Sequence, residues 1–409
     1  MQGLGPKLCC LFSFIAVVNC SAPKSVVFKT PVDTTSKPIN YQEKKTYELV
    51  DVGVFASNEF HGARLNGFEK INDSTALVLI TPENTPINNS PYYAFKSWAK
   101  QPKPFYFTFK YPKGFKHRYI PKIEANNNWT VLDSSNIFKN DSIVTIKLLL
   151  TNSPQTIAAQ EIQSASDVKK WYSTLAIANK DVVTIGSAGK TPLNRDLPVL
   201  SIYKGLSKEK DLIVLLTRQH PPEVTGYYAF QSFLETILNG SEVSDQFLAK
   251  YHIIAFPIMN PDGVDLGHWR HNSGGVDTNR DWSVYNQPEI QQAVSYIERT
   301  LKRNKSKLIL GLDFHSTWYD IFYTNEDRAN TTMPNFIENW FTALESNIPN
   351  YKVNEASANS DKPTSKGWML NGHNAVGITY EIGDHTPKED IQIFGKVSAE
   401  EMMKIILTK

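Results

Sequence analysis

The chain has 409 residues, of which 41% are hydrophobic, and a formal net charge of +2 at pH 7. This length exceeds that of a typical single domain and predicts two, while the apolar content is ordinary for a soluble globular protein. The near-neutral charge and the lack of a Lys/Arg run exclude a nucleic acid as the main partner.

The N-terminus has the order of an export signal: Lys7, then the apolar residues 8–18, then the small and polar residues "NCSAPKS". Eleven apolar residues are too few to span a bilayer, which needs about 20. We predict that residues 1–22 are a signal peptide cleaved after Ala22. Alternatively, "VVNC" resembles a lipoprotein box with Cys20 as the lipidated residue, which would be the chain's one link to a membrane. Both interpretations predict an exported protein, whether periplasmic, secreted or anchored as a lipoprotein.

All three cysteines, Cys9, Cys10 and Cys20, lie in this N-terminal segment. The mature chain therefore has no internal disulfide and offers no thiolate to a metal ion. A metal must be held by His, Asp or Glu.

Residues 23–46 are predicted to be a linker, and residues 47–160 a β-rich domain. Short segments such as "ALVLITP", "FYFTFKY", "HRYIPKI" and "SIVTIKLLL" are rich in β-branched and aromatic residues and are separated by Asn, Pro, Gly and Asp. This pattern predicts a small antiparallel β-sandwich. The following "SASDVKKWYSTLA" predicts a linking helix within residues 161–180, with Ser166 or Asp167 near its N-cap.

Residues 181–409 alternate strands with helices. Apolar strands are predicted at "VVTIG", "LPVLSIY", "DLIVLLT", "HIIAFPI", "KLILGLDF" and "GITYE", and helices at about 222–238, 289–301, 335–345 and from Lys388. Nearly continuous apolar strands between amphipathic helices predict an α/β domain whose mixed central sheet is flanked by helices. The "NPDG" at residues 260–263 is predicted to form a turn.

Polar residues follow two of these strands. His220 and Glu223 come after "DLIVLLT", and with Pro221 or Pro222 at the first helical position the spacing of three would place both side chains on one side. His315 follows the strand predicted at residues 308–314. A His, Glu, His set with water in the fourth position is a catalytic zinc set, known from carboxypeptidase A. By spacing alone, a helix-capping Glu and a hydrogen-bonded His remain an alternative.

Four motifs occur in a specific order: "RQHPPE", "MNPDGVDLGHWRHNSGGVDTNRDW", "LDFHS" and "GITYEIGD". With them the chain resembles the M14 family of zinc metallocarboxypeptidases, in particular its cytosolic-carboxypeptidase-like branch, from about residue 47 to the C-terminus. The resemblance implies a carboxypeptidase-like fold and one Zn²⁺ per chain, held by His220, Glu223 and His315. It also implies a peptide substrate with a free C-terminal carboxylate.

The resemblance further implies the roles of four residues. Glu381 in "TYE" would be the catalytic carboxylate, a role that suits an acid whose pKa is raised by partial burial at a strand end. Arg270 would stabilise negative charge on the scissile carbonyl oxygen. Asn279 and Arg280 would hold the terminal carboxylate, whose planar geometry the guanidinium fork matches. His268 and His271, which flank Arg270, are predicted to be supporting or surface residues rather than ligands.

Lys366 lies where the resemblance places the residue that selects the substrate's last side chain. A buried ammonium group would favour an acidic C-terminal residue, whereas a solvated loop lysine would select nothing. The family usually supplies a tyrosine from this region. Here the nearest upstream is Tyr351, to which no role is assigned.

Three functions remain open from the sequence. The first is a metallocarboxypeptidase that removes one C-terminal residue by zinc-assisted hydrolysis. The second is a zinc-dependent deacylase of N-acyl amino acids, and the third is a non-catalytic module that binds peptide termini. The complete set of metal and base positions argues against the third.

Overall fold

The computed structural model describes residues 23–126, 128–140 and 143–408. The predicted signal peptide, with its cleavage position at Ala22 and the alternative lipidation position at Cys20, lies outside these residues. None of the helices in the described part of the chain has both the length and the apolar composition to cross a membrane.

In the residues that the structure describes, eleven strands form the N-terminal β-rich part. They are β1 Thr46–Leu49, β2 Val54–Ser57, β3 Gly67–Asn72, β4 Thr75–Leu79, β5 Ala94–Ala99, β6 Lys103–Lys110, β7 Lys122–Ala125, β8 Asn128–Val131, β9 Ile137–Asn140, β10 Ile143–Leu150 and β11 Gln155–Ala158. One sheet has the order β1-β2-β5-β11-β7-β8 and the other the order β3-β4-β6-β10-β9.

Alternation along the strands builds the core between these two sheets. In β6, Phe105, Phe107 and Phe109 are buried while the residues between them face outward, as a period of two requires. The predicted sandwich is thus present, but its pairing is not wholly antiparallel, because β4 and β6 run parallel. The chain between them crosses to the other sheet as β5, so β6 returns in the direction of β4.

The remaining elements alternate as the sequence predicts. They are α1 Ala165–Ala178, β12 Val183–Lys190, β13 Asp196–Ile202, β14 Asp211–Thr217, α2 Val224–Ile237, α3 Glu242–Lys250, β15 Tyr251–Phe256, α4 Pro261–Leu266, α5 Pro288–Asn304, β16 Leu308–Thr317, β17 Ile321–Thr324, α6 Phe336–Asn347, β18 Glu355–Ser357, α7 Ser365–His373, β19 Val376–Gly383 and α8 Lys388–Leu407. A short 3₁₀ turn spans Thr278–Arg280.

The eight strands form one mixed sheet in the order β12-β13-β15-β14-β16-β19-β17-β18. The central strands β15, β14, β16 and β19 are parallel, and antiparallel pairs join both edges. In β14, Ile213 and Leu215 pack on the side of α2, α6 and α8, whereas Leu212, Val214 and Leu216 pack on the side of α5 and α7. Helices cover both faces, which is why the strands are apolar throughout.

Three local predictions were wrong. The helix α2 begins at Val224, with Glu223 as its N-cap, so Pro221 and Pro222 precede it rather than start it. The "NPDG" segment opens the helix α4, with Pro261 at its first position and the Asn260 side chain accepting a hydrogen bond from the Gly263 N–H. Lys366 lies on the helix α7 rather than in a loop.

The capping of α1 differs from the prediction by a few residues. Ser164 is the N-cap, and it exchanges hydrogen bonds with Asp167 in a capping box.

Residues 23–45 have no helix or strand but pack along the α/β part of the chain, residues 181–408. The Val26 N–H donates to the Ser283 carbonyl at 3.0 Å, and the Lys37 N–H to the Gly274 carbonyl at 2.8 Å. The Thr34 hydroxyl is buried and donates to Asp281 at 2.5 Å. The segment predicted to be a linker is therefore attached to the fold at several points.

The close packing of α2 on β16 is testable at Gly226. A Cβ there would lie 2.2 Å from the His315 carbonyl oxygen, so Gly226→Ala must push the helix off the strand that carries His315. We expect a loss of about 1–3 kcal/mol or more in the free energy of unfolding, measured by urea denaturation. Gly372→Ala is the matched control, because its nearest atom is a side-chain carbon at 3.2 Å. Equal midpoints for the two variants would contradict this packing.

Candidate metal centre and catalytic cavity

The sheet brings the candidate residues to one edge. Strands β14, β16 and β19 are parallel neighbours, so their carboxyl ends meet on the same side. His220 follows the end of β14 by three residues. His315 lies inside β16, which extends to Thr317, and is directly opposite Glu381 on β19.

His220, Glu223 and His315 converge on one point. One ligand atom from each lies within 4.8 Å of the others, and all three residues are buried. The two oxygens of the Glu223 carboxylate lie 2.8 Å from Nδ1 of His220 and 2.7 Å from Nδ1 of His315. The two Nδ1 atoms are 3.2 Å apart.

Two aspartates fix the tautomer of these histidines. Nε2 of His220 lies 2.9 Å from Oδ1 of Asp277, and Nε2 of His315 lies 2.8 Å from Oδ2 of Asp313. A carboxylate only accepts, so each Nε2 carries the proton and donates it. In a neutral imidazole the Nδ1 atom then bears a lone pair, and both lone pairs face Glu223.

Three electron-pair donors that face one another require a positive charge between them. Burial opposes ionisation of His315, yet Asp313 and Glu223 raise its pKa well above the ordinary value. A divalent cation satisfies all three donors at once. Tetrahedral zinc with bonds of about 2.0–2.1 Å would separate two nitrogens by roughly 3.3 Å, close to the 3.2 Å found between the two Nδ1 atoms. The donor set therefore fits zinc.

Asp277 connects the histidine to the neighbouring arginine and asparagine. Its Oδ1 accepts from His220 and from the Asn279 N–H, and its Oδ2 accepts from Nε of Arg270 at 2.7 Å. Burial opposes the charge, but Arg270 and His220 hold the pKa of this carboxyl well below its usual range. One side chain thus orients three candidate residues.

Asp277 and Asp313 were not among the residues that the sequence predicted for the site. Asp313 is fully buried, and besides His315 it binds Nε2 of Gln219 at 2.5 Å and the Ser365 hydroxyl. The sequence did contain a signal for Asp313: it is an acid inside the apolar run "LILGLDFH". It lies two residues before His315 and therefore on the same face of the strand. Asp277 had a weaker one, because it lies in a loop.

The arginines differ in how they are held. Arg270 is bound to Asp277 through its Nε, and its side chain lines the cavity. Arg280 donates to the Asn279 carbonyl at 2.8 Å, and within the described residues no carboxylate lies within 4.0 Å of its guanidinium. Asn279 in turn accepts from the Ser365 N–H at 2.9 Å. Arg280 is therefore the cation with a free face for an anionic group.

Glu381 faces the same cavity. Its Oε2 is buried and has no hydrogen-bond partner in the described residues. Burial, together with the negative charge of Glu223, raises its pKa to about 8. A buried carboxyl with an unused oxygen is suited to accepting and returning a proton.

Lys366 is buried at the floor of the cavity. Its ammonium donates to the Thr324 carbonyl at 2.9 Å, to the Ala358 carbonyl at 2.6 Å and to Oδ1 of Asn325 at 3.3 Å. Burial lowers its pKa to about 8. The solvated-loop alternative is excluded. The three oxygens satisfy its hydrogen bonds, although they leave its charge without a paired carboxylate.

One cavity of about 520 Å³ is lined by all eight residues that the sequence predicted for the site: His220, Glu223, Arg270, Asn279, Arg280, His315, Lys366 and Glu381. Arg118, Trp318 and Tyr323 also line it, and the sequence analysis identified none of them. Arg118 comes from the β-sandwich and is bound to Asp384 at 2.7 Å. The sandwich thus contributes to the cavity wall.

The neighbouring histidines are not ligands. His268 and His271 are both buried, not on the surface. Nδ1 of His268 lies 3.0 Å from the His271 carbonyl, and Nδ1 of His271 is 2.5 Å from Oδ1 of Asn84. Tyr351 packs against Phe394, away from the cavity lining.

Comparison with known proteins agrees with this geometry. Residues 168–400, more than half of the chain, match the family of zinc carboxypeptidases, Peptidase_M14. The chain belongs to the zinc carboxypeptidase family. The resemblance to its cytosolic branch is also confirmed: cytosolic carboxypeptidase 2 of Xenopus tropicalis is 32% identical over 110 residues, 26% of this chain and 11% of that protein.

An uncharacterised protein of Zymomonas mobilis is 24% identical over 197 residues, 46% of this chain and 49% of its own length. This chain therefore spans about half of the Zymomonas mobilis protein and a smaller share of the Xenopus tropicalis protein.

Solved structures share the fold. The metallo-carboxypeptidase from Burkholderia cenocepacia matches with a TM-score of 0.70 at 14% identity, over 87% of this chain and 98% of that one. The metallo-carboxypeptidase from Pseudomonas aeruginosa in complex with (2-guanidinoethylmercapto)succinic acid matches with a TM-score of 0.68 at 16% identity. The match covers 86% of this chain and 98% of that one. Such coverage includes the sandwich as well as the catalytic sheet.

The metal centre is testable by substitution. We expect His315→Ala to lose stoichiometric zinc, because one of three ligands is removed. Asp313→Asn should weaken zinc binding about 10- to 100-fold, because the amide cannot hold the Nε2–H tautomer as the carboxylate does. Elemental analysis and chelator competition measure both effects.

The exposed His61 provides the control for these variants, and His61→Ala should keep the metal. Full zinc occupancy in His315→Ala would mean a different set of ligands.

Proposed function

We propose that this member of the zinc carboxypeptidase family hydrolyses the C-terminal residue of peptides, with one zinc ion per chain held by His220, Glu223 and His315. The observation that carries the proposal is the position of Glu381. It lies beside His315 across the sheet, with an unpartnered oxygen in the cavity that the three ligands share. Bound zinc would supply Lewis acidity that polarises a carbonyl and lowers the pKa of a coordinated water towards about 7.

The chain's own residues orient the substrate. The free face of Arg280 suits a bidentate contact with a terminal carboxylate, and the amide of Asn279 lies beside it. Arg270 presents donors already fixed by Asp277, so it can stabilise negative charge on the scissile carbonyl oxygen without reorganising. Together these contacts require a free C-terminal carboxylate in the substrate.

Glu381 is the proposed general base and acid. Burial and Glu223 raise its pKa to about 8, which places it near the pH at which a proton can be both accepted and returned. Its carboxylate would take a proton from the attacking water and pass it to the leaving amine. The cleaved bond is the peptide C–N bond, and the products are a shortened peptide and a free amino acid.

We further propose that the enzyme prefers substrates whose C-terminal residue is acidic. Five basic side chains line the cavity, namely Arg118, Arg270, Arg280, Lys362 and Lys366, and two acidic ones, Glu223 and Glu381. Asp384 and Asp277 pair with Arg118 and Arg270, whereas in the described residues no carboxylate lies within 4.0 Å of the other three cations. Lys366 lies at the floor with its charge unpaired. This excess of positive charge supports a substrate with a second carboxylate.

Export of the protein also belongs to the proposal. It rests on the charge, apolar core and small residues of the segment 1–22 alone.

Replacing Glu381 tests the chemistry. Glu381→Gln should keep the metal, because Glu381 is not a ligand, and should reduce turnover by a factor on the order of 10²–10⁴ in a released-amino-acid assay. Glu389→Gln, an exposed acid on α8, is the control and should behave as the wild type. Unchanged turnover in Glu381→Gln would remove the base assignment. Release of amino acids only from N-acyl amino acids would identify the deacylase instead.

Replacing Lys366 tests the specificity. Lys366→Gln keeps a donor for the surrounding oxygens but removes the charge, so the preference for peptides ending in Glu or Asp over Ala should fall about tenfold in kcat/KM. A peptide library read out by released amino acids measures the profile. The same profile in both proteins would contradict the role of Lys366.

A further inference from the structure

The segment 268–271 lies at the junction between the catalytic part and the β-sandwich. The Trp269 side chain is fully buried in the sandwich core, with its ring 5.2 Å from that of Phe115 in an edge-to-face arrangement. The next residue, Arg270, points its side chain into the catalytic cavity. One residue therefore anchors the segment in the sandwich while its neighbour serves the site.

A single carboxylate of the sandwich binds the backbone of this segment. Glu83 is completely buried, and its Oε2 accepts the Trp269 N–H at 2.8 Å. Its Oε1 accepts the N–H groups of Arg270 at 3.0 Å and of His271 at 2.8 Å. Three consecutive N–H groups on one carboxylate fix the position and direction of the backbone from which the Arg270 side chain extends.

Basic groups keep this carboxylate charged. A guanidinium nitrogen of Arg64 lies 3.8 Å from Glu83, and Nδ1 of His271 lies at 3.7 Å. Burial opposes ionisation, but His268, Arg64 and His271, together with the hydrogen bond from the His271 N–H, hold the pKa of Glu83 below its ordinary value. Burial also lowers the pKa of both histidines, so Arg64 is the permanent positive charge beside Glu83. The hydrogen bonds to the segment are therefore charge-assisted, which makes them about twice as strong as neutral ones.

Arg270 is thus held at two places. Asp277 binds its Nε at 2.7 Å, and Glu83 binds its backbone N–H. A donor aimed at a developing oxyanion must be fixed before the reaction, because a displacement of about 1 Å costs on the order of 10² in rate. Asp277 alone leaves the guanidinium free to move with its backbone.

We propose that Glu83 is a positioning residue for Arg270, through which the β-sandwich becomes part of the catalytic apparatus. This inference rests on the proposed carboxypeptidase activity. Glu83 touches no substrate, and its effect is exerted through the backbone of residues 269–271.

A double-mutant cycle tests the proposal on the zinc-loaded full chain. In Glu83→Gln the amide nitrogen cannot accept, so one of the three N–H groups loses its acceptor and the others lose the charge. We expect kcat to fall at least about tenfold, with KM changed by less than about threefold and zinc content unchanged. In an Arg270→Met background the same substitution should change kcat by less than about twofold, since Arg270 is no longer present to be positioned.

The control is Val78→Ala, which removes buried volume from the sandwich core at a residue that is fully buried and forms none of the hydrogen bonds to residues 269–271. It should leave kcat as in the wild type. If Glu83→Gln does not fold, Glu83→Asp replaces it in the cycle, because the shorter acid keeps the charge but cannot reach all three N–H groups.

Two results overturn the inference. One is an unchanged kcat in the Glu83 variant that folds, and the other is the same fold-loss in the wild-type and Arg270→Met backgrounds, which indicates a general structural role. Both presuppose an active wild type. A wild type without carboxypeptidase activity contradicts the proposed function instead.

Discussion

Two hydrogen bonds between carboxylates and imidazoles set the geometry of the candidate metal centre. Asp277 and Asp313 each take the Nε2–H of one histidine, and the Nδ1 lone pairs of His220 and His315 are thereby turned towards Glu223. The resulting set of two Nδ1 atoms and one carboxylate is one that a divalent cation can bind. Acids in the positions of Asp277 and Asp313 orient the imidazole rings and fix their tautomers.

The eight-stranded sheet brings the candidate ligands and Glu381 together. Parallel pairing of β14, β16 and β19 brings the ligand turn, His315 and Glu381 to one edge, while the loop that carries Asp277 adds Arg270, Asn279 and Arg280. The sandwich holds that loop from outside through Glu83 and Trp269. The two parts of the chain thus line one cavity, in which the eight-stranded sheet positions the candidate ligands and the sandwich binds the backbone that carries Arg270.

Sequence patterns predicted the structure correctly where a residue type has one dominant structural or chemical role. Continuous apolar strands predicted the covered sheet. The motifs named seven residues and the resemblance added Lys366, and all eight line the cavity. Sequence patterns could not predict contacts between distant segments. Glu83 lies 186 positions before Trp269, and only the folded chain brings the two residues together. Short strands such as β17 and β18 carry too few residues for a period to show. The helix α7 has only a weakly amphipathic sequence, so its buried Lys366 resembled a loop residue.

The most direct test is a crystal structure of the purified protein with anomalous data collected on both sides of the zinc edge. We expect one anomalous peak per chain, bonded to Nδ1 of His220, Nδ1 of His315 and the Glu223 carboxylate, with Asp277 and Asp313 still hydrogen-bonded to the Nε2 atoms. A peak coordinated through Nε2, or a peak away from these three side chains, would contradict this expectation.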